Sequence, residues 1–229
     1  MKTSGIIVAA GTGSRMGAGK NKVFLDISGI PMIVHTMRAF QRAENIDDII
    51  IVTGREYIDE IIYLAEKYGI TKFSKAVCGG ETRQQSVLNG LYMSDADIAA
   101  IHDGARAAVE PEIIERAVED AKKYGASAVG VRCIDSLKRA ESGFISSDIN
   151  RENVYNIQTP QVFFRDKITA CHEDALERNI SVTDDTAIAQ LGGIKVFITE
   201  GSYENIKITT PADMKIAEEI LKRRENSCV

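Results

Sequence analysis

At 229 residues, with 44% hydrophobic and 27% charged residues and a formal net charge of −5, the chain has the composition of one soluble globular domain, with no bias towards disorder, collagen or repeat arrays. The acidic balance argues against nonspecific binding to nucleic acid or to an anionic membrane, since both need a basic stripe. Cys78, Cys133, Cys171 and Cys228 are irregularly spaced and contain no Cys-x-x-Cys pair, which indicates neither a disulfide scaffold nor a structural zinc site; a reducing cytoplasm is expected.

The apolar opening "SGIIVAA" is far shorter than the roughly 20 residues of a membrane span, and it lacks the long apolar centre of a signal peptide. Runs of strand length follow at 5–10, 48–54, 73–78, 98–103, 126–132 and 194–199. They are almost continuously apolar, as in a parallel sheet covered on both faces. Segments of helical period alternate with them. "EYIDEIIYLAEKYG" spaces Ile58, Ile61, Ile62 and Ala65 along one face and closes on Gly69, and "EPEIIERAVEDAKKYG" does the same with Ile113, Ile114, Ala117, Val118 and Ala121, closing on Gly125. Pro31, Pro111 and Pro211 stand where helices are expected to begin, and Pro160 is the exception. The fold class is α/β, a Rossmann-like, mostly parallel sheet with helices on both faces.

From Ile134 to Asn156 the pattern breaks into short apolar and polar groups around a Ser-Gly turn signal. This predicts a β-arm over 132–156, projecting from a single domain of 1–229, with a second copy of the chain as the economical surface for it to pack on. The terminal "LKRR" is expected only to complement the negative end of a helix dipole.

The loop after the first strand, "VAAGTGSRMGAGKNKVF" (8–24), has four glycines and three basic residues but no carboxylate. A dinucleotide fingerprint fails because Met16 stands where the third glycine belongs; a Walker A loop fails because Ser14 replaces the first glycine and Asn21 follows Lys20. What remains is a strand followed by A-A-G-x-G-x-R-M and a later lysine. Gly11 and Gly13 let backbone N–H groups approach an anion, while Arg15 and Lys22 add charge; a nucleoside triphosphate is the natural occupant.

With this opening, the islands "CGGETRQQSV" (78–87), "HDGAR" (102–106), "DSLKRA" (135–140), "NR" (150–151), "QTPQVF" (158–163), "VTDD" (182–185) and "ENIKIT" (204–209) resemble, nearly end to end and in order, the 2-C-methyl-D-erythritol 4-phosphate cytidylyltransferases. The resemblance implies transfer of CMP from CTP to a sugar-alcohol phosphate with release of pyrophosphate, helped by Mg²⁺, in a homodimer joined through the arm. It implies that Arg15 and Lys22 stabilise the transition state, while Arg151 and Lys207 hold the attacking phosphate. Nucleotide contacts fall on Ala9, Ala10, Gly11, Gly13, Gly80, Glu81, Ser86, Asp103 and Ala105. Substrate contacts fall on Asp103, Arg106, Ser136, Arg151, Thr159, Thr183 and Lys207, with Asp103 also near the metal. For Thr183 the competing role is a helix N-cap, and for His102 a packed or capping histidine is expected rather than a catalyst.

Three motifs depart from the family's usual pattern. Asn21-Lys22-Val23 stands for Pro-Lys-Gln, Ala105-Arg106-Ala107 for Ala-Arg-Pro, and Ser136 for threonine. The cations survive, but two prolines that would stiffen loops are missing. The chemistry itself needs no general base, because a phosphate monoester with a second pKa of about 6 is already largely a dianion near neutrality. The sequence has only three histidines and no G-x-S-x-G elbow. Three alternatives stay open: a sister enzyme using ribitol 5-phosphate, a glycosyltransferase clamping metal with Asp95-Ala96-Asp97, and a nucleotide sensor without turnover.

Overall fold

The computed structural model describes residues 1–11 and 21–227, so Gly13 and Arg15 lie outside the described residues. The chain opens with β1 (Thr3–Val8), makes a short hairpin of β2 (Asp26–Ile27) and β3 (Ile30–Pro31), and enters α1 (Met32–Arg42). Strands and helices then alternate: β4 (Asp48–Thr53), α2 (Ile58–Lys67), β5 (Phe73–Cys78), α3 (Arg83–Met93), β6 (Ile98–Asp103), α4 (Pro111–Tyr124) and β7 (Ala126–Arg132). The second half holds β8 (Leu137–Glu141), β9 (Phe144–Ile149), β10 (Tyr155–Phe164), α5 (Arg165–Glu177), α6 (Asp185–Leu191), β11 (Phe197–Glu200) and α7 (Pro211–Ser227).

The main sheet runs β11-β7-β10-β6-β1-β4-β5 and is parallel except for β10, which pairs antiparallel with both β6 and β7. β1 lies near the centre with Ile6 and Ile7 pointing to opposite faces, as the period of two in a strand requires. Ile7, Ile49 and Ile51 meet α1, α2 and α4 through Ile33, Phe40, Ile61 and Ile114; Ile6 and Val52 meet α3, α5 and α6 through Leu91, Ile168 and Ile188. Each such fully buried side chain contributes about 1.5–3 kcal/mol relative to exposure, so both faces of the sheet are well covered.

The sequence pattern did not disclose β10, although "QTPQVF" lies inside it. Gln158, Thr159 and Pro160 break its alternation, and the pairing with β7 shifts register between Ile157 and Gln161, where the Thr159–Pro160 peptide is cis. The polar side chains of this stretch are put to use. Gln161 Oε1 accepts the N–H groups of Asp185 (3.0 Å) and Thr186 (3.1 Å), and Gln158 donates to the Ser202 carbonyl at 2.8 Å. Of the run at 194–199, the strand β11 starts only at Phe197, and it pairs with β7 at the edge of the sheet.

β8 and β9 form a separate antiparallel pair, turning through Ser142 (φ 48°) and Gly143 (φ 87°), two residues with the positive φ that a tight hairpin turn demands. Phe144 and Ile145 at its tip are 79% and 72% exposed, which leaves the tip without an apolar covering in this chain.

The basic end of α7 does more than complement a helix dipole. Arg224 Nη1 donates to the Ala108 carbonyl at 2.7 Å and Nη2 lies 2.8 Å from Glu204, with Glu110 also paired; the helix is thereby strapped across the loop after β6. Beneath the strap Ala217 packs with Met32, Ala107 and Ile208.

Candidate active site

The carboxyl ends of β1, β5 and β6 open on a cavity of about 400 Å³, the edge at which parallel α/β sheets receive ligands. Ala9, Ala10 and Gly11 leave β1 along one wall, and Gly80, Glu81 and Ser86 form a second. Asp103, Ala105, Lys207 and Lys22 belong to the rim, and Arg83 also lines the cavity.

The wall after β5 is shaped by the first turn of α3. Thr82 caps that helix by accepting the Gln85 N–H at 3.1 Å, while Gln85 Oε1 accepts from the N–H groups of Glu81 (2.9 Å) and Thr82 (3.3 Å). Ser86 Oγ donates to the Thr82 carbonyl at 2.9 Å and accepts the Gly80 N–H at 3.1 Å. Gly79 lets this loop close on the first one: a Cβ there would stand 2.5 Å from Ala10 Cβ and 2.9 Å from Ser86 Oγ.

Asp103, the last residue of β6, is the electrostatic centre of the site. Its side chain is 12% exposed, with Oδ2 2.7 Å from Lys207 Nζ and Oδ1 3.1 Å from Arg83 Nε. Burial alone would raise its pKa, but the Arg83 and Lys207 cations outweigh that cost and hold the carboxyl well below the usual range. Asp103 therefore stays ionised at every pH at which the protein would work.

Behind it the backbone is locked by a chain of polar groups. The Asp103 N–H donates to Thr159 Oγ1 at 3.1 Å, the Thr159 hydroxyl reaches His102 Nδ1 at 3.0 Å, and His102 Nε2 faces the Arg106 carbonyl at 3.4 Å. Complete burial pushes the His102 pKa down to about 3, so the ring is neutral, accepting at Nδ1 and donating at Nε2. His102 is thus a packed histidine, and the Thr159 hydroxyl, expected on substrate, bonds His102 and the Asp103 N–H in this structure.

Two further residues act on the opposite rim. Lys22 Nζ donates to the Ile208 carbonyl at 2.7 Å, next to Lys207. Asn21, at a position where a proline is usual in the family resembled, donates from Nδ2 to the Ala9 carbonyl at 2.6 Å and accepts the Val23 N–H at 3.3 Å. The stiffness a proline would supply is replaced by side-chain hydrogen bonds. Arg106 does not line the cavity: its Nη1 donates to the Asn205 carbonyl at 2.6 Å, while the Asn205 amide donates to Thr159 O at 2.9 Å, and together these bonds position the segment that carries Lys207.

Besides Arg106 and Thr159, three expected residues stand apart from the cavity. Ser136 and Arg151 are exposed on the arm, with the Arg151 guanidinium on the Ile134 carbonyl. Thr183 is exposed before α6, and the N-cap role belongs to Asp184, whose Oδ1 accepts the Ala187 N–H at 3.0 Å. Asp95 and Asp97 lie before β6 at the opposite, amino edge, where Lys2 engages both, so they form no metal clamp at this cavity. Arg83 is the contributor that sequence inspection passed over. It sat in plain view inside "GGETRQQSV", but nothing local says that the first turn of α3 abuts the end of β6.

Comparison with known proteins agrees with this geometry. The family model of 2-C-methyl-D-erythritol 4-phosphate cytidylyltransferase matches residues 4–223. The protein of that name from Clostridium novyi is 45% identical over 227 residues, covering 96% of this chain and 97% of its own. That from Clostridium acetobutylicum is 46% identical over 224 residues, covering 95% and 96%. Among solved structures, the 4-diphosphocytidyl-2C-methyl-D-erythritol synthase of Anaerococcus prevotii superimposes with a TM-score of 0.86 at 30% identity, covering 96% of each chain. On the strength of near-complete coverage by both sequence and structure, the chain belongs to the 2-C-methyl-D-erythritol 4-phosphate cytidylyltransferase family.

Proposed function

We propose that the protein transfers CMP from CTP to the phosphate of 2-C-methyl-D-erythritol 4-phosphate, giving 4-diphosphocytidyl-2-C-methyl-D-erythritol and pyrophosphate. The observation that carries this reading is the convergence of Lys22, Lys207 and ionised Asp103 on one cavity walled by two glycine loops. An oxygen of the phosphate monoester attacks the α-phosphorus of CTP, and the bond from that phosphorus to the bridging oxygen of pyrophosphate breaks. No side chain has to remove a proton, because the attacking phosphate is already largely deprotonated near neutrality. The obstacle is repulsion between two polyanions, so catalysis is positioning and charge stabilisation. Lys22 and Arg15 act on the α-phosphate, and Lys207 and Arg151 on the attacking phosphate. The wall formed by Gly80, Glu81 and Ser86 is assigned to the base.

Mg²⁺ is assigned to this site as an adjunct of the nucleotide. Among the described residues no group of three or more His, Cys, Asp or Glu side chains is arranged to hold a metal, and the ionised Asp103 carboxylate at the cavity already faces Arg83 and Lys207. That donor set suits an ion whose main ligands are substrate phosphates and water. When bound, it neutralises charge on the triphosphate.

We further propose a homodimer, in which the apolar tip of the arm is covered and Arg151 and Ser136 serve the partner's cavity; a cytoplasmic setting suits the free thiols of Cys78, Cys133 and Cys171. Among the described residues no helix is long and apolar enough to cross a membrane.

Pyrophosphate release from CTP and Mg²⁺, measured with 2-C-methyl-D-erythritol 4-phosphate beside ribitol 5-phosphate, tests the substrate. We expect the first to be clearly faster; a faster rate with ribitol 5-phosphate overturns the assignment, and CTP binding with no turnover of either would mark a sensor. For the shared site, mixing inactive Arg151→Ala and Lys22→Ala proteins is expected to restore activity, since a mixed dimer holds one intact site. Mixtures that form heterodimers yet stay inactive would place Arg151 in its own subunit's chemistry.

A further inference from the structure

Arg83 joins three elements at the edge of the cavity. From the start of α3 its Nε reaches Asp103 Oδ1 at the end of β6 (3.1 Å), and its Nη2 reaches Asp185 Oδ2 at the start of α6 (2.9 Å). Asp185 is 1% exposed and lines no part of the cavity; its Oδ1 lies 3.2 Å from Nε2 of His172, a fully buried residue of α5. A carboxylate so completely removed from water is strongly disfavoured unless it is paired, and Arg83 is its cationic partner. The consequence is mechanical. With a carboxylate on two sides, the planar guanidinium has its orientation set and cannot swing towards solvent.

This geometry passes through Asp103 to the reacting groups. Arg83 occupies Oδ1 and leaves Oδ2 to Lys207, so the plane of the carboxylate, and with it the resting place of the Lys207 ammonium, depends on where Arg83 is held. We propose that Arg83 is a positioning residue for nucleotidyl transfer, anchored by the buried Asp185 and acting through Asp103 on Lys207. The inference rests on the proposed function and adds to it a residue that lines the cavity but is not one of the four cations assigned to the phosphates.

Three variants test it: Arg83→Gln, Asp185→Asn and the double variant, each assayed for kcat, for KM of both substrates and for melting temperature. Arg83→Gln is expected to lower kcat roughly 10- to 100-fold, the scale of a small misplacement of reacting groups, with the KM for CTP changed no more than about 3-fold. It is also expected to melt earlier, because Asp185 is left buried without its cation. The double variant removes both charges, so its melting temperature should recover while kcat stays low. Recovery of kcat together with stability would show that Arg83 is only structural and would overturn the proposal. A loss confined to the KM for CTP would make Arg83 a binding contact and would overturn it equally. If Arg83→Gln fails to fold, the double variant carries the decision by itself. The wild-type rate measured alongside separates the two readings: no wild-type turnover sinks the function, whereas an active wild type with unimpaired variants sinks this inference alone.

Discussion

Lys22→Ala is expected to lower kcat by about 10²–10³-fold, the range found when one preorganised donor to a developing anion is removed. The KM for CTP should change far less. Lys22 sits on the short turn 22–24 with its ammonium 2.7 Å from the Ile208 carbonyl, beside Lys207 on the same rim. A flexible lysine held by a backbone oxygen is preorganised, so little reorganisation remains when charge accumulates on the α-phosphate. On the proposed reading, ground-state binding of the triphosphate draws on the rest of the cavity lining as well, and this survives the substitution. Steady-state pyrophosphate release resolves the two parameters. A loss expressed mainly in the KM for CTP would mean that Lys22 binds substrate and transition state alike, contrary to a role in stabilising the transition state selectively.

Asp103→Asn is expected to damage both activity and stability. The substitution keeps the shape of the side chain but removes the charge that Arg83 and Lys207 share, leaving two cations crowded at a largely buried point. Breaking a buried pair by deleting one partner costs about 3–5 kcal/mol, and here a single deletion affects two pairs. We expect a loss of that order in denaturant titration and a fall in kcat of at least about 10²-fold, since Lys207 loses its anchor. The pH dependence carries a separate signature. The folded-state pKa of Asp103 is depressed below that of the unfolded chain, so its stabilisation is full above roughly pH 4 and is lost as pH falls towards the folded value. The wild type should therefore lose stability in acid more steeply than Asp103→Asn. Parallel acid-unfolding curves for the two proteins would contradict the pairing of an ionised Asp103 with two cations.

Much of this was legible in the chain. The strands at 98–103 and 126–132 stand where their apolar runs stand, because a strand buried on both faces writes its bounds directly in hydrophobicity. α4 likewise starts at Pro111 and ends before Gly125, whose φ of 96° is a conformation that favours glycine. Most of the cavity rim, including Ala9, Lys22, Gly80, Ser86 and Asp103, was named from short islands, because loops at strand ends carry both the turn chemistry and the ligand contacts.

The rest depended on distance along the chain. β10 was hidden because its polar residues make sense only once they cap α6 and lock the end of β6. The Thr159 hydroxyl looks available within its motif, and only the fold shows that His102 and the Asp103 N–H bond to it. By itself, then, the sequence determined the α/β class, the helix and strand periods, and which loops carry cations and glycines, since these follow from local sterics and hydrophobic spacing. Only the tertiary structure decided that Arg83, Asp103, Asp185 and Lys207, drawn from both halves of the chain, share one electrostatic network, because charge pairing depends on separation in space and leaves no periodic mark along the chain.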